Sequence, residues 1–463
     1  MRNRHAVVLG ASMAGLLAAR VLADHYDRVT IVERDRLPVR VAQRKGVPQG
    51  RHVHGLLPSG SKVVGELFPG LLEDLVAAGG TKLDDYSKMY FAPDGVHRLS
   101  RALEIEPIYQ PSRPFLETAV RGRVRCLSNV EFQDGCEVVG LAVDAVGRVI
   151  GARVVNHGGR AADVLEADLV VDATGRASRT PAWLAELGYE KPAEDEVVVD
   201  VRYASRLVRL PAGAVPETLT VIGANPGRLG GVGLFAYEDD TWMFTVSGYA
   251  GHHPELDYGW MVDFAAGCAP PHMIEALRAA EPLGDVSTFR FRANRRVRYD
   301  RLRRFPEGLL VFGDAMCGFN PIYGQGMSVA ALEALVLRDC LRRGSEGLAR
   351  RFFRAAAKPI EIAWQMAVGA DLALPQVEGP RPLPVRLVNA YVARLLVAAE
   401  HDPVLAARFL RVSSFLMKPS MLMTPPMVAR VVAGNRRARR APAPVRHAGS
   451  VLPEREKAGM HEA

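Results

Sequence analysis

The first 35 residues alternate between apolar and small or polar stretches in an order typical of two strands joined by a helix. An apolar run from Ala6 to Leu9 precedes a turn that contains Gly10 and Gly15. A second apolar run, Val29 to Val32, ends at Glu33. Between the two runs, apolar residues recur at helical spacing: Ala14, Leu17, Ala18, Val21 and Leu22. The pattern predicts a strand–helix–strand unit.

This turn favours a bound dinucleotide. Gly10 permits a tight turn, the small Ser12 lets the backbone approach a pyrophosphate, and Gly15 allows the helix to pack closely on the strand. Glu33 follows the turn by about 20 residues, where a carboxylate can accept hydrogen bonds from both ribose hydroxyls. Because Ser12 replaces the usual middle glycine, an ordinary strand-to-helix turn is one alternative. A secretory signal is another, disfavoured by Arg20 within the apolar segment.

Further along the chain, a helix capped by Ser112 with Pro114 in its first turn is predicted, then alternating strands from about 130 to 155. Leu169 to Asp172 reads as a buried strand. After residue 195 the pattern favours strands at 197–209, 217–223 and 231–248, with Val232 to Tyr237 pairing with Thr241 to Ser247. Trp242, Phe244 and Val246 lie on one face of this hairpin. That face either contacts an apolar ligand or packs under helices.

A second glycine-rich segment follows the apolar strand at 308–312. It runs through Gly313, Asp314, Gly318, Gly324 and Gly326 and leads into a helix that reaches about Arg343. Helices are predicted to dominate beyond it, and residues 434–463 to form a disordered basic tail.

Composition indicates a globular protein of two or three domains, with 463 residues, 48% hydrophobic and 24% charged. The formal charge of +8 is explained most simply by arginines in a solvated tail. Five cysteines without close pairing suggest free thiols in a reducing compartment. Since no apolar stretch approaches the ~20 residues that cross a bilayer, we expect a cytoplasmic protein without stable membrane insertion.

Two polar segments can each be interpreted in more than one way. The loop at 44–54, which contains His52 and His54, is predicted to be too polar for the core. Its histidines could be scaffolding, a base near the substrate or, least favoured, metal ligands. The cluster Arg292, Arg295, Arg296 and Arg298 is read as a solvated face, with a dock for a nucleotide phosphate or an acidic carrier second.

Four motifs together resemble the single-component FAD-dependent monooxygenases related to aromatic hydroxylases, most closely the bacterial epoxidases of polyether polyketide biosynthesis. The motifs are the segments 10–15 with Glu33, 44–54, 172–179 and 313–327, and the resemblance spans about residues 5–345. It implies an α/β fold in which a Rossmann-like FAD-binding domain carries an inserted antiparallel β-sheet substrate domain and a helical C-terminal extension. The expected boundaries are 1–78, 106–195 and 291–345 for FAD, 79–105 and 196–290 for substrate, and 346–433 for the helices.

The resemblance also assigns cofactor contacts. Gly10 to Gly15 would hold the pyrophosphate, Glu33 the adenosine ribose, and Asp314 the ribitol or phosphates. The turn from Gly324 to Met327 would aim amides at the pyrimidine edge of the flavin. The implied set is Gly10, Ser12, Met13, Ala14, Gly15, Glu33, Arg34, Arg44, Lys45, Arg113, Asp172, Gly313, Asp314, Pro321, Gly324, Gly326 and Met327. No catalytic residue is assigned beyond the candidates Pro321 and His54, and no metal is expected.

The implied activity is transfer of one oxygen atom from a flavin hydroperoxide to an apolar, electron-rich substrate, first an alkene of a polyketide or terpenoid that is free or carrier-bound. Aromatic hydroxylation is second; a halogenase and an isoprenoid double-bond reductase share the cofactor core. O2 is the co-substrate, and NAD(P)H binds transiently or acts through an external flavin reductase, since no second dinucleotide motif is found. A basic protein that binds nucleic acid or anionic membrane through its tail is a rival of another class, and we expect no nucleic acid partner.

Overall fold

The computed structural model describes residues 4–101, 103–159 and 161–440. In these ranges the strands are β1 (His5–Leu9), β2 (Arg28–Glu33), β3 (Thr81–Leu83), β4 (Met89–Ala92), β5 (Ile108–Gln110), β6 (Val130–Asp134), β7 (Cys136–Val143), β8 (Val149–Asn156), β9 (Asp163–Glu166), β10 (Leu169–Asp172), β11 (Glu194–Arg209), β12 (Leu219–Ile222), β13 (Gly230–Ala236), β14 (Trp242–Gly248), β15 (Glu281–Val297), β16 (Leu309–Val311) and β17 (Cys317–Gly318). The helices are α1 (Met13–Ala23), α2 (Pro58–Leu67), α3 (Leu71–Ala77), α4 (Arg113–Arg125), α5 (Thr180–Glu186), α6 (Tyr258–Ala266), α7 (Pro271–Arg278), α8 (Gly326–Leu341), α9 (Leu348–Asp371), α10 (Leu383–Ala399), α11 (Pro403–Ser413) and α12 (Pro425–Arg440).

A parallel sheet of five strands lies at the centre of the largest core, in the order β16–β10–β1–β2–β6. All five residues of β1 are buried, because α1 and the antiparallel strands β7 and β8 pack against this sheet and share its core. The predicted strand–helix–strand start is confirmed, with Val8 beside Ile31 in parallel register. The predicted helix α4 is also confirmed, and the Ser112 hydroxyl caps it by accepting a hydrogen bond from the Phe115 amide at 3.3 Å.

A second sheet has seven strands in the order β17–β15–β11–β14–β13–β12–β4, and all its pairs are antiparallel except β12 with β4. It contains the predicted hairpin, with Val232 opposite Val246. Phe244 and Val246 pack with α6 and α7 in one apolar cluster, so this face is covered by helices and presents nothing to a ligand. The other face carries Tyr203, Ser205 and Thr245. The α/β fold with an antiparallel sheet and C-terminal helices is thus as predicted.

Three predictions from the charged segments are wrong in part. Arg44 and His52 of the polar loop are buried, because each finds partners inside the molecule. In the arginine cluster Arg292 is exposed as predicted, but Arg296 and Arg298 are buried and paired, Arg296 with Glu361 and Arg298 with Asp195 at 2.9 Å and Asp300 at 2.8 Å. The predicted disordered tail is helical from 434 to 440, in α12, and its part at 441–463 lies outside the described residues.

None of the described helices is both long and apolar enough to cross a lipid bilayer.

Candidate functional site

The turn between β1 and α1 ends in a helix N-terminus that no side chain caps. Gly10 has φ +100°, which a glycine tolerates, and a Cβ at Gly15 would lie 1.8 Å from the Gly10 carbonyl oxygen. Ser12 is the N-cap residue, but its hydroxyl donates to Glu117 Oε2 at 2.9 Å instead of accepting from the helix. The first amides of α1 therefore keep their capacity to bind an anion.

A buried cluster of opposite charges lies beside this helix start. The Glu117 carboxylate is central: its Oε1 accepts from Arg44 at 2.7 Å, and its Oε2 from Arg113 at 3.3 Å. Arg113 also donates to the Ser12 hydroxyl at 2.8 Å, which brings α4 against the α1 turn. Burial alone would lower the pKa of Arg44, but Glu117 and Glu33 outweigh it and raise that pKa. Two guanidinium groups paired with Glu117 therefore lie next to uncapped amides.

Glu33 ties the end of β2 to the same turn. Its Oε2 accepts from the Ala11 amide at 2.8 Å and lies 3.1 Å from Arg44, while its Oε1 accepts from the Asp35 amide at 3.0 Å. The carboxylate thus stands at the carboxyl end of β2, beside the glycine turn. Arg34 and Lys45, also predicted as contacts, are exposed and have no ion pair among the described residues.

The second glycine-rich segment meets the first. A Cβ at Gly313, which has φ +67°, would lie 2.7 Å from the Ala14 Cβ, so this turn packs directly on the start of α1. Asp314 next to it is half-buried and has no hydrogen-bond partner among the described residues. Burial raises the pKa of Asp314, although Arg176 and Arg113 act to lower it. The Asp314 carboxylate therefore lies where the two segments meet and has no partner among the described residues.

Helix α8 begins at the same place. Gly324, with φ +63°, turns the chain into Gln325, the N-cap residue, whose side chain does not cap the helix. A Cβ at Gly326 would lie 3.6 Å from Asp314 Oδ1. Pro321 is exposed, and Met327 is half-buried. The predicted residues of both glycine segments are therefore brought together around one crevice, bounded by the N-termini of α1 and α8.

A buried polar network fixes the turn before α8. Asn320 donates to Asp371 at 2.9 Å and accepts from Tyr203 at 2.7 Å. Tyr323 donates to the same Asp371 oxygen at 2.7 Å, and Asn294 donates to the other at 2.6 Å. Burial raises the pKa of Asp371 to about 6 despite these donors. The last residue of α9 thus anchors the segment from Asn320 to Tyr323.

Several buried polar atoms in the segments that build this site, near Arg113, in the 44–54 loop and at the start of α8, have no hydrogen-bond partner in the described part of the chain. Both polar atoms of the Gln110 amide are unpaired although Gln110 is fully buried, as are Gln325 Oε1, Ser328 Oγ and His52 Nε2. Leaving such a group unsatisfied costs about 1–3 kcal/mol, so each calls for a ligand or water. Amide and hydroxyl groups of this kind match the ring edge and ribitol hydroxyls of a flavin, and the donor set fits FAD.

The two predicted histidines are neutral. Burial lowers the pKa of His52 to about 4, and its Nδ1 is 2.7 Å from the Ser205 hydroxyl. Burial, with Arg113 nearby, lowers the pKa of His54 to about 3. His54 Nδ1 donates to the His52 carbonyl at 3.0 Å, which leaves Nε2 as an acceptor. The His52 ring packs against Tyr203 and Phe289, each with ring centroids 5.8 Å away.

Asp172 does not face the crevice. Its carboxylate accepts from the Thr174 amide and hydroxyl, at 3.0 and 2.5 Å, and from the hydroxyls of Ser178 at 2.6 Å and Thr180 at 2.5 Å. With four donors and complete burial, this carboxylate stabilises its own loop.

Among the described residues, no group of three or more His, Cys, Asp and Glu side chains could hold a metal ion.

Sequence reasoning missed four residues of the site: Gln110, Glu117, Asn320 and Asp371. A fifth is Glu333, whose Oε2 accepts from the Gly313 amide at 2.7 Å and whose pKa burial raises to about 8. A usable signal existed for Glu117 alone, because it follows the predicted contact Arg113 by one helical turn.

No protein-family model matches the chain. The Mycobacterium tuberculosis protein Rv3254 is 39% identical over 445 residues, covering 94% of each chain. The chain belongs to the Rv3254 family.

Several solved structures of other proteins have the same fold as this Rv3254 family member. The flavin-dependent brominase Bmp2 matches with a TM-score of 0.66 at 15% identity, over 94% of this chain and 100% of that one. The p-nitrophenol 4-monooxygenase PnpA from Pseudomonas putida DLL-E4 matches with 0.62 at 15% identity, over 88% and 96%.

Proposed function

We propose that the protein is an FAD-dependent monooxygenase that adds one oxygen atom of O2 to an apolar, electron-rich substrate. The observation that carries this proposal is the contact between Gly313 and Ala14, which puts two uncapped helix N-termini and an unpaired acid on one crevice. A dinucleotide with a central pyrophosphate and an electron-accepting ring at one end suits such a crevice. The fold shared with flavin-dependent monooxygenases and halogenases supports it.

Different residues of the crevice would hold different parts of FAD. The amides of α1 and the Arg113 guanidinium would bind the pyrophosphate, Glu33 the adenosine ribose, and Asp314 the ribitol hydroxyls. Gln110 and Gln325 would use their unpaired amides on the cofactor. The N-terminus of α8 would stabilise negative charge at the pyrimidine edge. When bound, FAD supplies two-electron redox chemistry and the activation of O2.

For the substrate, we propose an alkene of a polyketide or terpenoid, which the enzyme epoxidises. Tyr203 and Phe289 pack around the neutral His52 on the sheet face away from α6 and α7, which supports an apolar substrate. Electrophilic oxygen transfer to an alkene needs water to be excluded and does not need a side-chain acid–base pair. Electrons would come from NAD(P)H that binds transiently or from a separate flavin reductase.

Phenol hydroxylation is the second candidate, and His52 is the observation that favours it. Its Nε2 is buried without a partner, and the lowered pKa keeps it unprotonated near neutral pH. A neutral imidazole can accept the proton of a phenol and so activate the ring. An alkene would leave this nitrogen without a function.

The test has two stages. A purified protein with bound FAD shows a visible flavin spectrum, and a colourless protein that FAD cannot reconstitute would refute the proposal.

In the second stage, reduced protein is mixed with O2 and either an apolar alkene or a phenol, and product mass is followed. We expect the alkene to gain one oxygen and His52→Gln to leave its rate within about threefold, whereas a phenol hydroxylase would lose about 10²-fold or more. Halide incorporation or O2-independent alkene reduction would identify a halogenase or a reductase instead.

A further inference from the structure

A series of hydrogen bonds ends on the ring of His52. Ser205 and Thr245 lie opposite each other on β11 and β14, and their hydroxyl oxygens are 2.6 Å apart. The Ser205 hydroxyl is 2.7 Å from His52 Nδ1. The Thr245 hydroxyl accepts from the Val53 amide at 3.2 Å. All three side chains are buried, so the amide, the two hydroxyls and the imidazole must satisfy one another.

The protons of this series have one arrangement with the fewest unpaired groups. The Val53 amide can only donate, which makes Thr245 Oγ1 an acceptor. If Thr245 then donates to Ser205 and Ser205 donates to His52 Nδ1, only the Nε2–H of His52 has no partner. The alternatives place the imidazole proton on Nδ1. Each of them leaves both a hydroxyl proton and the Nε2 lone pair without a partner among the described residues.

The His52 ring is neutral near pH 7, because burial and, to a smaller extent, Arg51 lower its pKa to about 4. A neutral imidazole carries one proton, and the arrangement with the fewest unpaired groups places it on Nε2. His54 has the opposite tautomer, since its Nδ1 donates to the His52 carbonyl. The Nε2–H of His52 is therefore a buried donor that the described residues leave unsatisfied, and it calls for an acceptor.

This donor lies on the sheet face that we propose to contact the substrate. The His52 ring packs against Tyr203 and Phe289, with both ring centroids 5.8 Å away. Tyr203 donates to Asn320, which directly precedes Pro321 and the turn into α8. His52 is thus connected through one side chain to the turn that would adjoin the flavin ring.

We propose that His52 Nε2–H donates a hydrogen bond to an oxygen atom of the substrate, so that the enzyme selects alkenes that also carry a carbonyl or ether oxygen. This inference rests on the proposed function and names the part of the substrate that His52 recognises. A substrate oxygen satisfies the buried donor, whereas a hydrocarbon leaves it unpaired, and a site built for a hydrogen bond rejects the analogue that lacks it. Deprotonation of a phenol requires the opposite tautomer, so the tautomer also separates the two candidate reactions.

Nitrogen-15 NMR of the FAD-loaded protein with labelled histidine determines the tautomer. The His52 signals are assigned by their absence in His52→Gln, and we expect the proton on Nε2. In Ser205→Ala neither ring nitrogen has a partner, so we expect both tautomers to be populated. Ser247→Ala is the matched control, because Ser247 is buried in β14 of the same sheet and contacts only the Gly231 carbonyl, at 3.4 Å. A proton on Nδ1 in the wild type would overturn the inference.

A pair of probes tests recognition of the oxygen. Geranylacetone, an alkene with one carbonyl group, is compared with the hydrocarbon in which two hydrogens replace the carbonyl oxygen. The Kd of each is measured from the change in flavin absorbance on titration. We expect the wild type to bind the ketone about tenfold more tightly or better, and His52→Gln to keep this ratio within about threefold because its amide also donates. In His52→Phe the ratio should fall to about one.

Equal affinity for the two probes, or binding of neither, would show that Nε2 meets water alone and would overturn the inference. A loss of FAD affinity in His52→Phe with an unchanged ratio would assign the donor to the cofactor and would overturn it as well. Flavin content and O2 uptake are measured on the same samples. A colourless protein would refute the proposed function, whereas a yellow protein that consumes O2 without preferring the ketone would refute this inference alone.

Discussion

An added methyl group at Gly15 would lie 1.8 Å from the Gly10 carbonyl oxygen, far inside contact distance. We expect Gly15→Ala to push the start of α1 away from β1 and to abolish FAD retention, measured as flavin absorbance per protein. Gly122→Ala is the matched control, since Gly122 also lies in a helix but nothing is within 4 Å of its added Cβ. A Gly15→Ala protein that is fully yellow would show that this turn does not hold the cofactor.

Glu117 is the shared anion of Arg44 and Arg113. Glu117→Gln keeps the shape of the side chain but leaves two buried guanidinium groups short of negative charge, a change that typically costs about 3–5 kcal/mol. We expect a lower Tm for the apoprotein and a larger rise in Tm on adding FAD than in the wild type, because the pyrophosphate replaces the lost charge.

Glu66→Gln serves as the control for this change. Glu66 is exposed and pairs with Arg338 at 2.7 Å, so its loss should cost less than about 1 kcal/mol and should not alter the effect of FAD. If both variants respond to FAD alike, the cluster around Glu117 does not face the cofactor.

At the scale of residues, the sequence could reveal what is close along the chain. Gly10, Gly15 and Glu33 were predictable because one turn and one strand fix their spacing. Gln110 and Asp371 were not, because their roles depend on which distant segments meet, and an isolated Gln or Asp gives no signal. Asp172 shows the reverse: the resemblance implied a cofactor contact, yet the carboxylate is satisfied by its own loop.

At the scale of elements, helix α9 anchors the turn that opens α8. Asp371→Asn replaces one carboxylate oxygen by an NH2 group. If Oδ1 is replaced, the NH2 group meets the donors of Asn320 and Tyr323; if Oδ2 is replaced, it meets the donor of Asn294. We expect the turn to loosen, FAD affinity to fall about tenfold, and the flavin absorbance band to shift, since an unsatisfied buried donor costs about 1–3 kcal/mol. Titration of apoprotein with FAD measures the affinity. Asp339→Asn on the exposed side of α8 is the control, and an Asp371→Asn protein indistinguishable from it would contradict the anchoring role.

The same carboxyl group gives a pH dependence. Burial raises the pKa of Asp371 from its ordinary 3.8 to about 6, so between these values the folded protein binds more protons than the unfolded chain. Its contribution to stability is therefore full at low pH and is lost as pH rises through about 6. We expect the free energy of unfolding of Asp371→Asn, relative to wild type, to increase across this range. Urea unfolding at several pH values measures it, and a constant difference would contradict the raised pKa.

Whole elements were predictable where a local pattern decides them. The hairpin of β13 and β14 and the capped helix α4 follow from alternation and from the Ser112 cap. Charge proved a poor guide to exposure, because Arg44, Arg296 and Arg298 are buried with acidic partners that lie far away in the sequence. The start of α12, with the buried Met427 and Val431, lies in the region predicted to be helical, whereas its end at 434–440 was predicted to be disordered because arginines dominate it.

At the scale of the whole molecule, every described contact of the crevice comes from residues before 372, while the helices α10 to α12 come from residues after it. Two truncations test whether these helices contribute to the reaction. Ending the chain after Arg440 preserves the packing of α12 on α10, so FAD content and oxygen consumption should both match the full chain.

Ending it after Ala433 removes the contacts of Gly434 with Ala398 and of Asn435 with Arg394. Because only packing at the end of α12 is lost, we expect that shorter protein to keep its flavin and its oxygen consumption and to unfold at a somewhat lower Tm. If oxygen consumption disappeared with these residues while FAD was retained, the C-terminal helices would take part in the reaction itself, and the assignment of the reaction to the crevice alone would be wrong.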